Sequence, residues 1–130
     1  MGSKTDYLED KMINHVLRNT SYTPPVTLYL AMFTTDPTET GAAGTEVSGG
    51  AYARQTVAFD APSPSGVTQN TSLVTFPTAT ASWGTVSHWM LMDAVSGGNG
   101  LYFGAWDAAQ SIGIGGIAEV AVGELKITED

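Results

Sequence analysis

The eight residues Val26-Thr-Leu-Tyr-Leu-Ala-Met-Phe33 constrain the fold more than any other stretch. Side chains alternate across a strand, so Val26, Leu28, Leu30 and Met32 take one face and Thr27, Tyr29, Ala31 and Phe33 the other. Both faces carry apolar groups, which a strand wetted on one side would not need. The stretch therefore predicts a central strand covered above and below.

Upstream the period is helical. Leu8, Met12, Ile13, Val16 and Leu17 recur at three-, four- and five-residue steps, which predicts a helix over residues 5–19. Ser3 with Asp6 is the expected capping pair, Asn19 the expected C-cap, and Pro24-Pro25 bars continuation. The apolar stripe is expected to pack against a sheet or a neighbouring subunit.

Downstream the chain reads as short strands between turns. Residues 35–50, TDPTETGAAGTEVSGG, form a long acidic loop with Asp36, Glu39 and Glu46. Ala51 to Phe59 alternates, with Val57 and Phe59 on one face and Tyr52, Arg54 and Thr56 on the other. Short strands are expected at 67–68 and 72–76. Gly84 to Asp93 and Leu101 to Trp106 flank the turn Ser96-Gly-Gly-Asn-Gly100, the clearest hairpin signal. A closing pair is expected at Ser111–Ile114 and Ala118–Thr128. This pattern predicts a mainly β, single-domain antiparallel β-sandwich over residues 1–130, jelly-roll- or Ig-like, with one N-terminal helix.

Thirteen acidic residues against five basic ones give a formal net charge of −8 and leave no basic stripe for phosphates, so neither nucleic acid nor an anionic membrane is an expected partner. With no cysteine there is no disulfide, thiol nucleophile or thiolate metal site. The N-terminus has no signal-type apolar region, and no apolar run is long enough for a membrane helix.

Sites of chemistry are sparse. Ser87 and His88 are neighbours on an expected strand, so they should point to opposite faces, and no GxSxG elbow accompanies them. His15 and His88 lack metal-ligand spacing, and no cofactor is expected. Asp93 and Asp107 end two expected strands and are the best carboxylate pair, though strand-end aspartates usually form turns. Trp83, Trp89 and Trp106 could make a stacking platform, but aromatics in a small sandwich are normally core. Within the 84–93 strand, Trp89 shares a face with Leu91, and His88 shares the other with Val86, Met90 and Met92.

The segments LYLAMFTTDPTETGAAGTEVSGGAYARQTVAF, NTSLVTFPTATASWGTVSHWMLMDAVSGGNGLYFGAW and GELKITED carry a likeness across nearly the whole chain. Together they resemble a family of small tailed-bacteriophage virion structural proteins named head decoration, head fibre or tail fibre. The most specific stretches are Thr45–Arg54 and Phe76–Val86. At Trp89-Met90-Leu91-Met92 the chain departs from the family pattern, where smaller or less sulfur-rich residues are common. The resemblance implies a β-sandwich structural protein without enzymatic activity, located in the virion and assembled in the host bacterial cytoplasm.

The expected function is a capsid decoration or cement protein on the outer head surface, with a fibre or baseplate component contacting the host as the alternative and a carbohydrate-binding module as a remote one. Expected partners are the major capsid protein or other virion proteins and further copies of the chain, with a homotrimer suggested by analogy. A host glycan is expected only for a fibre. The candidate contact surface comprises Asp36, Glu39, Glu46, Tyr52, Arg54, His88, Trp89 and Trp106.

Overall fold

In a computed structural model, which describes residues 2–129, the chain is mainly β with one helix. Met1 and Asp130, part of the expected 1–130 domain, lie outside the described residues. The order is β1 (Ser3–Lys4), α1 (Asp6–Leu17), β2 (Leu28–Phe33), β3 (Gln55–Val57), β4 (Val67–Gln69), β5 (Val74–Thr75), β6 (Gly84–Met92), β7 (Gly100–Ile112), β8 (Glu119–Val120) and β9 (Lys126–Thr128).

One five-stranded antiparallel sheet runs β1-β7-β6-β2-β3, and the second layer consists of two ribbons, β4–β9 and β5–β8. The expected closing pair is therefore corrected. Ser111 and Ile112 end β7, whereas β8 and β9 each join a strand from residues 67–75. Long-range partners outcompete a local hairpin because they close the apolar floor beneath the main sheet.

The central strand has the two faces its alternation requires. Leu28, Leu30 and Met32 enter a large core with Trp89, Leu91, Phe76, Val120 and Ile127, between the main sheet and the ribbons. Tyr29, Ala31 and Phe33 join Met90, Met92 and Phe103 on the opposite side. Val26 lies outside the strand and is fully exposed, because β2 begins at Leu28.

Helix α1 starts one residue later than expected. Thr5 is its N-cap, with Oγ1 accepting from Leu8 N at 3.3 Å, and Ser3 belongs to β1, where it faces Phe103. Arg18 is the C-cap, and Asn19 follows with a positive φ of 53°. Thr5 also donates from Oγ1 to Gly100 O at 2.7 Å and from its backbone N–H to Leu101 O at 2.9 Å, so the helix start is fixed to β7.

Between Val86 and His88 the register of β6 on β7 shifts: Val86 opposes Gln110 while His88 opposes Ala105. Residues 106–109 of β7 thus bulge opposite Ser87. A bulge reverses the alternation around it, so Val86 lies in the large core with Trp89 and Leu91, not with Met90 and Met92.

Candidate functional site

The strongest polar cluster among the expected residues joins Arg54, Glu46 and Tyr52. Arg54 donates from Nε to Glu46 Oε2 and from Nη2 to Glu46 Oε1, both at 2.8 Å, a bidentate pair matched to the planar guanidinium. Nη1 donates to Ala94 O and Gly97 O, each at 2.8 Å. Tyr52 donates its hydroxyl to Glu46 Oε2 at 2.6 Å and accepts from Met32 N at 3.0 Å.

This cluster ties the 35–50 loop to the 93–100 turn. Burial acts to raise the Glu46 pKa, but hydrogen bonds from Arg54 and Tyr52 and the Arg54 charge outweigh it, so the carboxyl is held below its ordinary value. Burial first, and then the bond to Glu46, push the Tyr52 hydroxyl well above its ordinary pKa. The guanidinium rises mainly through its bond to Glu46. Every charge is answered within the cluster, so its chemistry is that of a clamp.

Tyr52 was expected opposite Val57 on an alternating strand, but β3 begins only at Gln55. Its ring instead packs on the large core, stacked on Phe76 at 6.0 Å and edge-on to Trp83 at 5.4 Å. Trp83 is buried and donates from Nε1 to Gly50 O at 2.9 Å. Trp89 is 1% exposed, sits 6.2 Å from the Trp106 ring and offers nothing to a partner of the folded chain. A side-chain carbon added at Gly2 would collide with the Trp89 ring, so chain and ring are packed as one unit. Trp106 is half-buried, and its indole N–H has no acceptor among the described residues.

The expectation for Ser87 and His88 is corrected. Ser87 Oγ lies 2.8 Å from His88 Nδ1 because the bulge breaks the strand geometry that would separate them. Ser87 also donates to Thr34 O at 3.1 Å, and Asp36 Oδ2 lies 4.0 Å from His88 Nε2. The arrangement does not make a working triad. The serine is on Nδ1, the aspartate is at the edge of ion-pair range, and Asp36 is largely exposed, whereas an orienting carboxylate is buried and hydrogen-bonded to the ring.

The remaining expected acids lie at turns, at the start of α1 and in the β7 bulge. Asp36 Oδ1 accepts from Thr38 N at 2.9 Å, closing a turn, and the Glu39 carbonyl accepts from Asp6 N at 2.8 Å at the start of α1. Asp93 caps its own turn, accepting from Asn99 N at 2.7 Å and Asn99 Nδ2 at 3.1 Å, while Asp107 lies in the β7 bulge. The described residues hold no group of three or more acids and histidines arranged to bind a metal.

A further exposed surface lies on α1, whose apolar stripe is expected against a sheet or a neighbouring subunit. Leu8 is buried at 5% exposure, but Met12, Ile13, Val16 and Leu17 rise through 38, 53, 67 and 76% along the helix. The predicted stripe is real, and its second half, Val16 and Leu17, is left mostly exposed by the described residues. Its only sequence signal was the helical period.

Comparison with known proteins finds a family model, Podophage GP4 fiber I protein gp80, that matches residues 3–128. A comparison with curated proteins finds no match.

Proposed function

The chain belongs to the Podophage GP4 fiber I protein gp80 family, and on that footing we propose that this phage virion structural protein is a fibre component seated on the particle through α1. The observation that carries the seat is the outward apolar stripe Met12, Ile13, Val16 and Leu17. Fully burying one such side chain is worth about 1.5–3 kcal/mol, so four that are 38–76% exposed leave about 4–7 kcal/mol to be gained. Binding costs about 4–15 kcal/mol in lost freedom, so one stripe on one copy is marginal. Several linked copies, each seating a stripe, turn that marginal energy into firm attachment. A homotrimer would meet this need, and its partner would be another virion protein.

In this reading the 35–50 loop and the 93–100 turn, clamped together by Arg54, present one rigid surface to the host, where a glycan is the expected ligand. The family description names a fibre protein and no enzymatic activity.

Capsid decoration is the second reading, supported by the head decoration names within the resemblance. There the same stripe would cover a seam between shell subunits. Cryo-electron microscopy of the intact particle tests the choice. A handful to a few dozen copies at the tail or its junction with the head supports the fibre role, and hundreds of copies over the shell overturn it.

A further inference from the structure

Where β7 bulges opposite Ser87, it stands away from β8 and leaves a groove of about 210 Å³. Its floor is apolar, with Ile112, Ala118 and Val120 from the large core. Its rim carries three carboxylates, Asp107, Glu119 and Glu124, and no basic side chain lines it. Trp106 forms one wall and, with Asp107 and Glu124, also lines a smaller recess that Lys126 borders.

The carboxylates are only lightly engaged. Glu119 Oε2 accepts from Thr75 Oγ1 at 3.4 Å and Glu124 Oε2 from Ala121 N at 2.9 Å, which leaves the second oxygen of each, and the Asp107 carboxylate, without a partner among the described residues. Elsewhere Arg54 and Lys4 are already ion-paired, to Glu46 and Glu129.

We propose that this groove docks a lysine- or arginine-bearing segment of a neighbouring virion polypeptide. An aliphatic stem covers the apolar floor while its charged head reaches the rim, and Trp106 offers an aromatic face to the cation. The carboxylates do not form a cluster able to hold a metal ion, so the cation that suits them is an organic one with an apolar stem. A sugar needs donors as well as acceptors, and here the indole N–H is sealed and Gln110 supplies the one side-chain amide of the lining. The inference holds for a fibre and for a shell protein alike, since it concerns the chemistry of the occupant and not the place on the particle.

The test is nuclear magnetic resonance titration of the isotopically labelled full chain with acetyl-Ala-Arg-Ala-amide. The expected result is shifts centred on Trp106, Ile112, Ala118 and Val120, with binding at least about tenfold weaker in the Glu119→Gln/Glu124→Gln double variant. The same peptide with norleucine for arginine should bind weakly. Because both glutamates are exposed, the double variant should keep its fold, and its own spectrum verifies this. Shifts spread instead over distant acids such as Asp6, Glu9 and Asp10 would overturn the proposal, as would unchanged affinity in the double variant. A stronger response of the same signals to maltose would assign the groove to sugar instead.

Discussion

Arg54 holds Glu46 through both carboxylate oxygens at 2.8 Å, and with its remaining terminal nitrogen it reaches the carbonyls of Ala94 and Gly97. One side chain thus fixes two loops far apart in sequence. Its side chain is 8% exposed and that of Glu46 25%, so removing either leaves a partly buried charge unanswered. Arg54→Ala should cost about 2–4 kcal/mol in urea unfolding, near the lower end for a broken buried pair because Glu46 keeps some water. Arg54→Lys should recover only part of that, since an ammonium cannot span both oxygens and both carbonyls.

The same clamp sets a pH dependence. Glu46 has a folded pKa below its ordinary value, so the unfolded chain binds more protons as the solution is acidified. Its contribution is present above the ordinary glutamate range of about 4.3 and is lost as pH falls through the folded value. Thermal midpoints measured from pH 6 downward should drop less steeply in Glu46→Gln than in the parent. Glu129, held low by Lys4 and Tyr102 against the opposing effect of burial, adds a similar but more solvent-screened slope.

At the alkaline end the sign reverses. Burial, followed by the bond to Glu46, raises the Tyr52 pKa, so its stabilising effect is intact below the ordinary tyrosine value and is lost as pH rises toward the folded one. Tyr52→Phe should be less stable at pH 7, having lost two hydrogen bonds, yet should lose less stability between pH 9 and 11.

Trp89 and Trp106 touch, but they differ in burial. Trp89→Ala should cost about 3–5 kcal/mol, as for a large aromatic deleted from a packed core. The half-buried Trp106, whose indole N–H has no acceptor among the described residues, should cost roughly half as much, about 1.5–2.5 kcal/mol. Chemical denaturation of the two variants side by side checks the ranking, and equal losses would refute it.

Much of the fold was legible because two-fold alternation has a direct physical meaning. Leu30 and Met32 against Ala31 and Phe33 sort into two cores as their spacing requires. The same rule failed at Ser87, where a bulge inserts residues without changing composition, so Val86 changes sides and Ser87 meets His88. The ribbons β4–β9 and β5–β8 were illegible for another reason. Their pairing is set by which distant strand covers the core, and two- or three-residue strands carry no period of their own. On α1 the spacing of Met12, Ile13, Val16 and Leu17 showed that a face needed covering. A period cannot say whether the cover is the chain's own sheet or another molecule.

The central claim is that the outward half of α1 seats the protein on the virion. The direct measurement is binding of the Val16→Glu/Leu17→Glu variant to particles that lack the protein, scored against the parent by occupancy. Both positions are exposed, so the unfolding free energy should stay within about 0.5 kcal/mol of the parent. Occupancy should fall at least about tenfold, because two charges enter the apolar seat. A variant that folds like the parent and fills the particles to the same level would contradict the account.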